Sequence, residues 1–328
     1  MPGARWADII AQAILHTLVA SLVVEALVRT WRVREPGQRI ALRLVALGYP
    51  LLLFPLLVAL PVRADDAFRD GVALFDGRRW DSVTVGGVGL FGVWLVAFAG
   101  AGVVLFAMDL LPLLTRRRPR RLGAAPDADS ARALDDALPP LAAALGVKRP
   151  PVVFLPLDAP VLFCTGFRRS SIVVSRGALR LLDPAELRAA LAHELCHLAR
   201  RDPARSWVVM AARAVMCFNP AFQVVSRAIA RDAEWLADER AAAVGGDRLA
   251  LASGLLKLFR ASGGGRAPVR RTVPLAQALS EPLARVRSLD VEVRCRRLLD
   301  PPATLLPFGP ARVVLAGVAI TALLFFVV

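Results

Sequence analysis

Residues 183–202 read DPAELRAALAHELCHLARRD. Asp183 is placed to cap a helix, Pro184 suits its first turn, and Glu186 completes a capping-box pattern. The pattern predicts a helix from Pro184 to about Arg200, stopped by Arg201-Asp202-Pro203, with Asp202 placed to cap the next helix. Inside it stands His193-Glu194-Leu195-Cys196-His197. Residues four apart on a helix differ by about 40° around its axis, so both imidazoles fall on one side, one turn apart. That spacing suits two nitrogen ligands on one zinc ion, with Glu194 beside them to polarise a metal-bound water. The chain has three histidines, and two of them stand at this spacing.

A catalytic zinc of this kind takes three protein ligands and keeps one position open. His16, the remaining histidine, lies in an apolar stretch near the N-terminus, so the third ligand is expected to be a carboxylate. The segment Arg231-Asp232-Ala233-Glu234-Trp235-Leu236-Ala237-Asp238-Glu239 offers several. Glu234 is preferred over Asp238 and Glu239. Asp238, one turn further on, can accept a hydrogen bond from the outer nitrogen of a ligand histidine and so fix its tautomer. The competing reading of this segment is a solvated acidic helix face.

Working outward, the chain divides by composition. Of its 328 residues, 56 % are hydrophobic and 21 % charged, with a net charge of +15. Soluble domains are about 45–50 % apolar, so neither a soluble enzyme nor a pure membrane bundle fits, and disordered or collagen-like chains are excluded. Four stretches read as spans: about Ile9–Val28, Leu44–Val62, Gly87–Met108 and Ala311–Val328. The expected division is a three-span region over 1–114, a zinc domain over 115–310, and a C-terminal span over 311–328. Arginines crowd the loop after the first span and the run Arg116-Arg117-Arg118-Pro119-Arg120-Arg121 after the third. Basic loops stay inside, so the zinc domain is expected on the cytoplasmic side of the inner membrane of the cell. His16 and Glu25, in or beside the first span, are functional candidates as ionisable groups in a membrane; the blander reading, which is preferred, puts Glu25 near the interface and has His16 hydrogen-bond a neighbouring helix.

Within 115–310, residues 126–145 carry Leu134, Leu138, Leu141 and Leu145 at helical spacing. Residues 151–156 and 170–175 read as strands separated by Cys164-Thr165-Gly166. Trp207–Val225 is apolar but holds Arg213, Asn219 and Pro220; it reads as a buried or membrane-grazing helix broken at Asn219-Pro220. Further helices are expected over about Ala221–Val244 and from Asp247 to about Ala261, with a loop at Gly263–Pro268. The stretch Arg285–Arg297 reads as a solvated or lipid-facing helix. The four cysteines show no CxxC spacing, so neither a disulfide framework nor a thiolate zinc site is expected.

His193-Glu194-x-x-His197 followed by Glu234-x-x-Ala237-Asp238 resembles the gluzincin pattern of integral-membrane peptidases. Two groups share it: the BlaR/MecR-type antirepressor peptidases (metallopeptidase family fifty-six) and the HtpX and CAAX-protease group. Thr165-Gly166-Phe167, Ile172 to Gly177, Arg200-Arg201-Asp202 and Phe218-Asn219-Pro220 resemble the first. The resemblance implies a mainly α, multi-pass membrane protein with an α+β gluzincin-type domain, a Zn2+ cofactor, and a protein substrate, for which a transcriptional repressor is one expectation. It implies Glu194 as the catalytic base, His193, His197 and Glu234 as metal ligands, and Asp238 behind them. It also suggests that the strand near Ile172–Ser175 binds substrate as an added strand. The receptor members carry a penicillin-binding sensor after the fourth span. No such sensor is expected for this sequence, so an input signal is expected through the spans, the 63–85 loop or a partner. An HtpX-like quality-control protease and a membrane signalling protein with a structural zinc are the alternatives. A base beside the histidines argues against the latter. The partners expected are the lipid bilayer and a protein; the arginines come without stacking aromatics or a helix-turn-helix, so no direct nucleic-acid contact is expected. No sequence feature sets an oligomeric state.

Overall fold

The computed structural model describes residues 2–53, 59, 82–115, 125–166, 170–245, 247–262, 289–300 and 310–326. They form two compact units. One is drawn from Met1–Arg117, Val209–Ala233 and Thr304–Val328, the other from Arg118–Val208 and Glu234–Ala303.

The first unit holds the apolar helices. α1 spans Pro2–Thr30 and α2 spans Pro36–Gly48, continuing into a wide π-helical turn at Tyr49–Leu53. A two-residue hairpin, β1 (Thr84–Val85) with β2 (Val88–Gly89), leads into α3, Leu90–Thr115. Ile9–Thr30 and Leu90–Leu110 are each long and apolar enough to cross a membrane. The expected fourth span is a shorter apolar helix, and of the expected second span only the part up to Leu53 and residue 59 lie among the described residues. Ala20, Val24, Leu42, Ala46, Tyr49, Ala316 and Ile320 pack into one core. His16 is buried: its Nδ1 lies 2.6 Å from the Gln12 carbonyl, and its ring stacks on Tyr49 at 5.5 Å. Glu25 accepts hydrogen bonds from Arg43 Nε (2.8 Å) and Nη2 (2.5 Å), and Arg43 also pairs with Asp232.

The second unit has an α+β core. α4 spans Ala128–Ala144, capped by Asp127, and buries Leu134, Leu138 and Leu141 as their spacing predicts. Three strands follow: β3 (Val152–Leu155), β4 (Leu162–Thr165) and β5 (Ser171–Ser175), in the order β3-β5-β4. β5 is parallel to β3 and antiparallel to β4. The sequence showed two strands; β4 lies inside what reads as the connection between them, a four-residue run too short and mixed to register. α5 is Arg176–Leu181, and α6 is Pro184–Ala199. The capping box at α6 is complete: Asp183 accepts from the Glu186 N–H at 2.9 Å, and Glu186 accepts from the Asp183 N–H at 3.0 Å. The buried Glu186 also takes Ser253 Oγ and Lys257 Nζ, each at 2.6 Å, which ties the start of α6 to α9. α7 is Asp202–Val215, α8 is Pro220–Gly245 and α9 is Arg248–Ala261, begun by the Asp247 cap. A helical stretch over 289–299, here α10, and α11, Pro310–Phe325, are the last of the described elements. The 263–268 loop lies outside the described residues.

α5 starts where the chain passes very close to itself. A Cβ on Gly177 would stand 2.0 Å from the Asp158 carbonyl oxygen. Gly177→Ala must therefore push the β3–β4 connection away from the sheet, a shape change costing about 1–3 kcal/mol. The expected outcome is a lower thermal transition in detergent, by differential scanning fluorimetry, against an unchanged one for a substitution at exposed Arg180.

Candidate metal centre

α6 brings His193 and His197 to one face, as the spacing requires, and buries both. Their Nε2 atoms stand 3.1 Å apart, with the rings at 84° to each other. Glu234 on α8 meets them: its Oε2 lies 3.5 Å from His193 Nε2, and its Oε1 lies 3.5 Å from His197 Nε2. One atom from each of the three residues falls within 4.8 Å of the others, the geometry of a group able to hold a metal ion.

The outer nitrogens are also engaged. His193 Nδ1 stands 2.9 Å from Asp238 Oδ1, and His197 Nδ1 stands 2.9 Å from Asp202 Oδ2. A carboxylate at Nδ1 fixes the ring tautomer and leaves Nε2 free to ligate. This donor set, two imidazole Nε2 atoms and one carboxylate, suits zinc.

Asp238 stands where the sequence reading put it. Asp202 does not follow that reading. Instead of capping α7, its carboxylate turns back to His197, with Arg200 Nε at 3.5 Å. The reversal is made at Arg201, whose φ of 56° is left-handed. A non-glycine residue there stores a small strain. The Arg201-Asp202 reversal after the second histidine was the signal that could have located this partner.

Arg294 was also missed. It lies on α10, far along the chain from the other site residues, in the arginine-rich stretch expected to be solvated. Instead its guanidinium is buried against Asp238, with Nε to Oδ2 and Nη2 to Oδ1 both at 2.7 Å. Nη1 lies 3.1 Å from Glu234 Oε2, and Nη2 lies 3.4 Å from His193 Nε2. Arg297 packs over Trp235 at 4.4 Å and binds Glu239 at 2.8 Å. Glu239 is thereby engaged by Arg297, while Arg296 on the same helix is exposed; Arg285 and Arg287 of the stretch lie outside the described residues.

These charges set one another. Burial works to raise the Glu234 carboxyl, but hydrogen bonding to His193 and the charge of Arg294 hold it well below the usual carboxylate range. Asp238 is lowered against the same burial by Arg294 and His193. Burial opposes a charged His193, yet Asp238 and Glu234 outweigh it and push its pKa up to about 10.

Glu194, next to His193 on α6, accepts a hydrogen bond at its Oε2 from the Cys164 N–H at 2.7 Å. The acceptor fixes the carboxylate beside β4. This placement also corrects the strand assignment. β5, which contains Ile172–Ser175, is hydrogen-bonded on both edges and has none left for an added strand. β4 is the edge strand beside the helix that carries Glu194.

A family model described as BlaR1 peptidase M56 matches residues 80–286. Among curated proteins, a protease HtpX homolog of Arthrobacter sp. (strain FB24) is 30 % identical over 202 residues, covering 51 % of this chain and 68 % of the relative. One from Pelotomaculum thermopropionicum is 29 % identical over 223 residues, 55 % of this chain and 77 % of the relative. One from Methanopyrus kandleri is 30 % identical over 176 residues, 44 % of this chain and 55 % of the relative.

Removing the charge behind a ligand histidine lowers metal affinity about 10–100-fold. Asp202→Asn, which keeps the side-chain shape, should weaken zinc binding by that factor in a competition titration with a chromogenic chelator. An affinity equal to wild type would remove Asp202 from the site.

Proposed function

The chain belongs to the BlaR1-type M56 peptidases, a family of membrane zinc metallopeptidases, and on that premise we propose that it is an integral-membrane zinc endopeptidase cutting cytoplasmic or membrane-proximal proteins. The observation that carries this reading is the convergence of His193 Nε2, His197 Nε2 and a Glu234 carboxylate oxygen. A zinc ion held there would supply a Lewis acid for the scissile carbonyl and lower the pKa of a bound water.

The chain's own groups do the rest. Glu194 is the general base: its carboxylate takes a proton from the attacking water and passes it to the leaving amine. The Cys164 N–H holds that carboxylate in place. Asp238 and Asp202 orient the two imidazoles, and Arg294 keeps Asp238 and Glu234 charged and aimed. The substrate backbone adds to the edge of β4 that pairs with no strand among the described residues, with hydrogen bonds to its main chain giving affinity and Glu194, held by the Cys164 N–H, at the end of the line of contact.

In this reading residues 115–310 form the peptidase domain on the cytoplasmic side of the inner membrane, between the third and fourth spans, and the substrate is a transcriptional repressor in a signalling pathway. The matches to proteases named HtpX homologs favour a second reading, broader turnover of membrane proteins by the same site. A repressor-specific enzyme cuts one cytoplasmic protein at one position; a turnover enzyme cuts many unfolded substrates.

General-base catalysis contributes about 10²–10⁴-fold. In detergent, Glu194→Gln should retain bound zinc and lose cleavage of an unfolded protein such as casein by at least about 100-fold. Wild-type cleavage by this variant would refute the assignment of the base.

A further inference from the structure

The second half of α7 and the first half of α8 form a hairpin that buries several polar side chains and exposes mostly apolar ones. Its buried positions include Arg213, Asn219, Gln223 and Ser226, none more than 8 % exposed, alongside the apolar Met216, Phe222, Val225 and Ile229. Its exposed positions include Ala211, Ala214, Val215 (65 %) and Val224 (55 %). A hairpin on a water-facing surface would carry polar residues on its exposed face. Polar groups turned inward and apolar groups outward are what a helix pair in hydrocarbon requires.

The turn between the arms is satisfied from within. Gln223 Nε2 donates to the carbonyls of Arg213 (3.1 Å) and Met216 (2.9 Å), and Asn219 Oδ1 accepts from the Phe222 N–H at 3.1 Å. Non-helical backbone is tolerated at membrane depth only where protein groups satisfy it in this way. The charged groups are paired too: Arg213 and Arg227 share Asp109 of α3.

The tip lies at the depth of the long apolar helices. Asn219 Nδ2 donates to the Ala13 carbonyl (3.0 Å) and to Thr17 Oγ1 (2.8 Å), inside the Ile9–Thr30 segment. A Cβ on Gly102 would stand 2.5 Å from the Phe218 carbonyl carbon. Gly102 lies about 18 Å from the Leu90 end of α3, near its middle. The hairpin therefore enters between α1 and α3 well past their ends.

We infer that this hairpin is a re-entrant element that dips into the bilayer and returns, with Ala211, Ala214, Val215 and Val224 against lipid acyl chains. It rests on the reading of α1 and α3 as spans. It goes beyond the proposed peptidase activity by making the segment just before Glu234 on α8 a membrane-embedded one.

The test is electron paramagnetic resonance on the full chain in liposomes, with nitroxides at Val215→Cys and Val224→Cys in a background whose native cysteines are replaced by alanine. Val96→Cys, 74 % exposed on α3, reports whether α3 spans. Relaxation by oxygen, which partitions into lipid, is compared with relaxation by a water-soluble nickel chelate. The expected result is oxygen-dominated relaxation at 96, 215 and 224. Nickel-dominated relaxation at 215 and 224, with oxygen dominating at 96, overturns the hairpin and leaves the spans standing. Nickel dominating at all three removes the span reading and the hairpin with it. As an independent arm, Val215→Asp should lower the yield and thermal transition of membrane-inserted protein if the face meets lipid, and leave both unchanged if it meets water.

Discussion

Two imidazoles held by carboxylates at Nδ1 are the constraint around which the second unit is arranged. Asp238 fixes His193 and Asp202 fixes His197, so both Nε2 atoms turn to the same point as a Glu234 oxygen. Such a cluster gathers three carboxylates and two imidazoles in a place with little water. It is stable only if a cation and hydrogen bonds are supplied. Arg294 supplies the fixed cation, with two 2.7 Å bonds to Asp238 and a contact to Glu234. Removing one partner of such a buried pair strands the other, at about 3–5 kcal/mol. The helix over 289–299 is thus part of the site even though it lies far from the motif in the chain.

The scaffold keeps this arrangement rigid from several directions. α6 starts at a complete capping box, and the Glu186 of that box binds α9 through Ser253 and Lys257. The buried side chains of α6, Leu187, Leu191 and Leu195, pack in one core with Leu138 and Leu141 of α4 and Leu251 of α9. β4 reaches Glu194 from the sheet side through a single backbone N–H. The proposed metal ligands, their orienting carboxylates and the proposed proton-transfer group therefore come from three separate elements, α6, α7 and α8.

Much of this was readable from local patterns. Helical spacing put His193 and His197 on one face, the cap residues set the start of α6, and the leucine periodicity of α4 gave its buried side. Glu234 followed from the shortage of other ligands, and Asp238 from its position one turn on. What escaped were contacts made across sequence distance or by a reversal of expected roles. Asp202 looks like a helix cap, and only the left-handed turn at Arg201 sends it back to His197. Arg294 sits in a basic run that composition alone describes as solvated, and its partners are 56 residues or more away. β4 is four residues long and carries no clean alternation. Asp232 reads as one more acid on a polar face, but it is buried and paired with Arg43. The hairpin arms have ordinary amphipathic sequences; which face turns inward is decided by Asp109 and α1, not by local spacing.

The central claim is that His193, His197 and Glu234 form a zinc site. The most direct measurement is zinc content by mass spectrometry on detergent-purified protein, with X-ray absorption at the zinc edge for the ligand types. About one zinc per chain, bound through two imidazole nitrogens and oxygen, and lost in Glu234→Ala, is the predicted result. Zinc absent from wild type after reloading, or unchanged in Glu234→Ala, would contradict it.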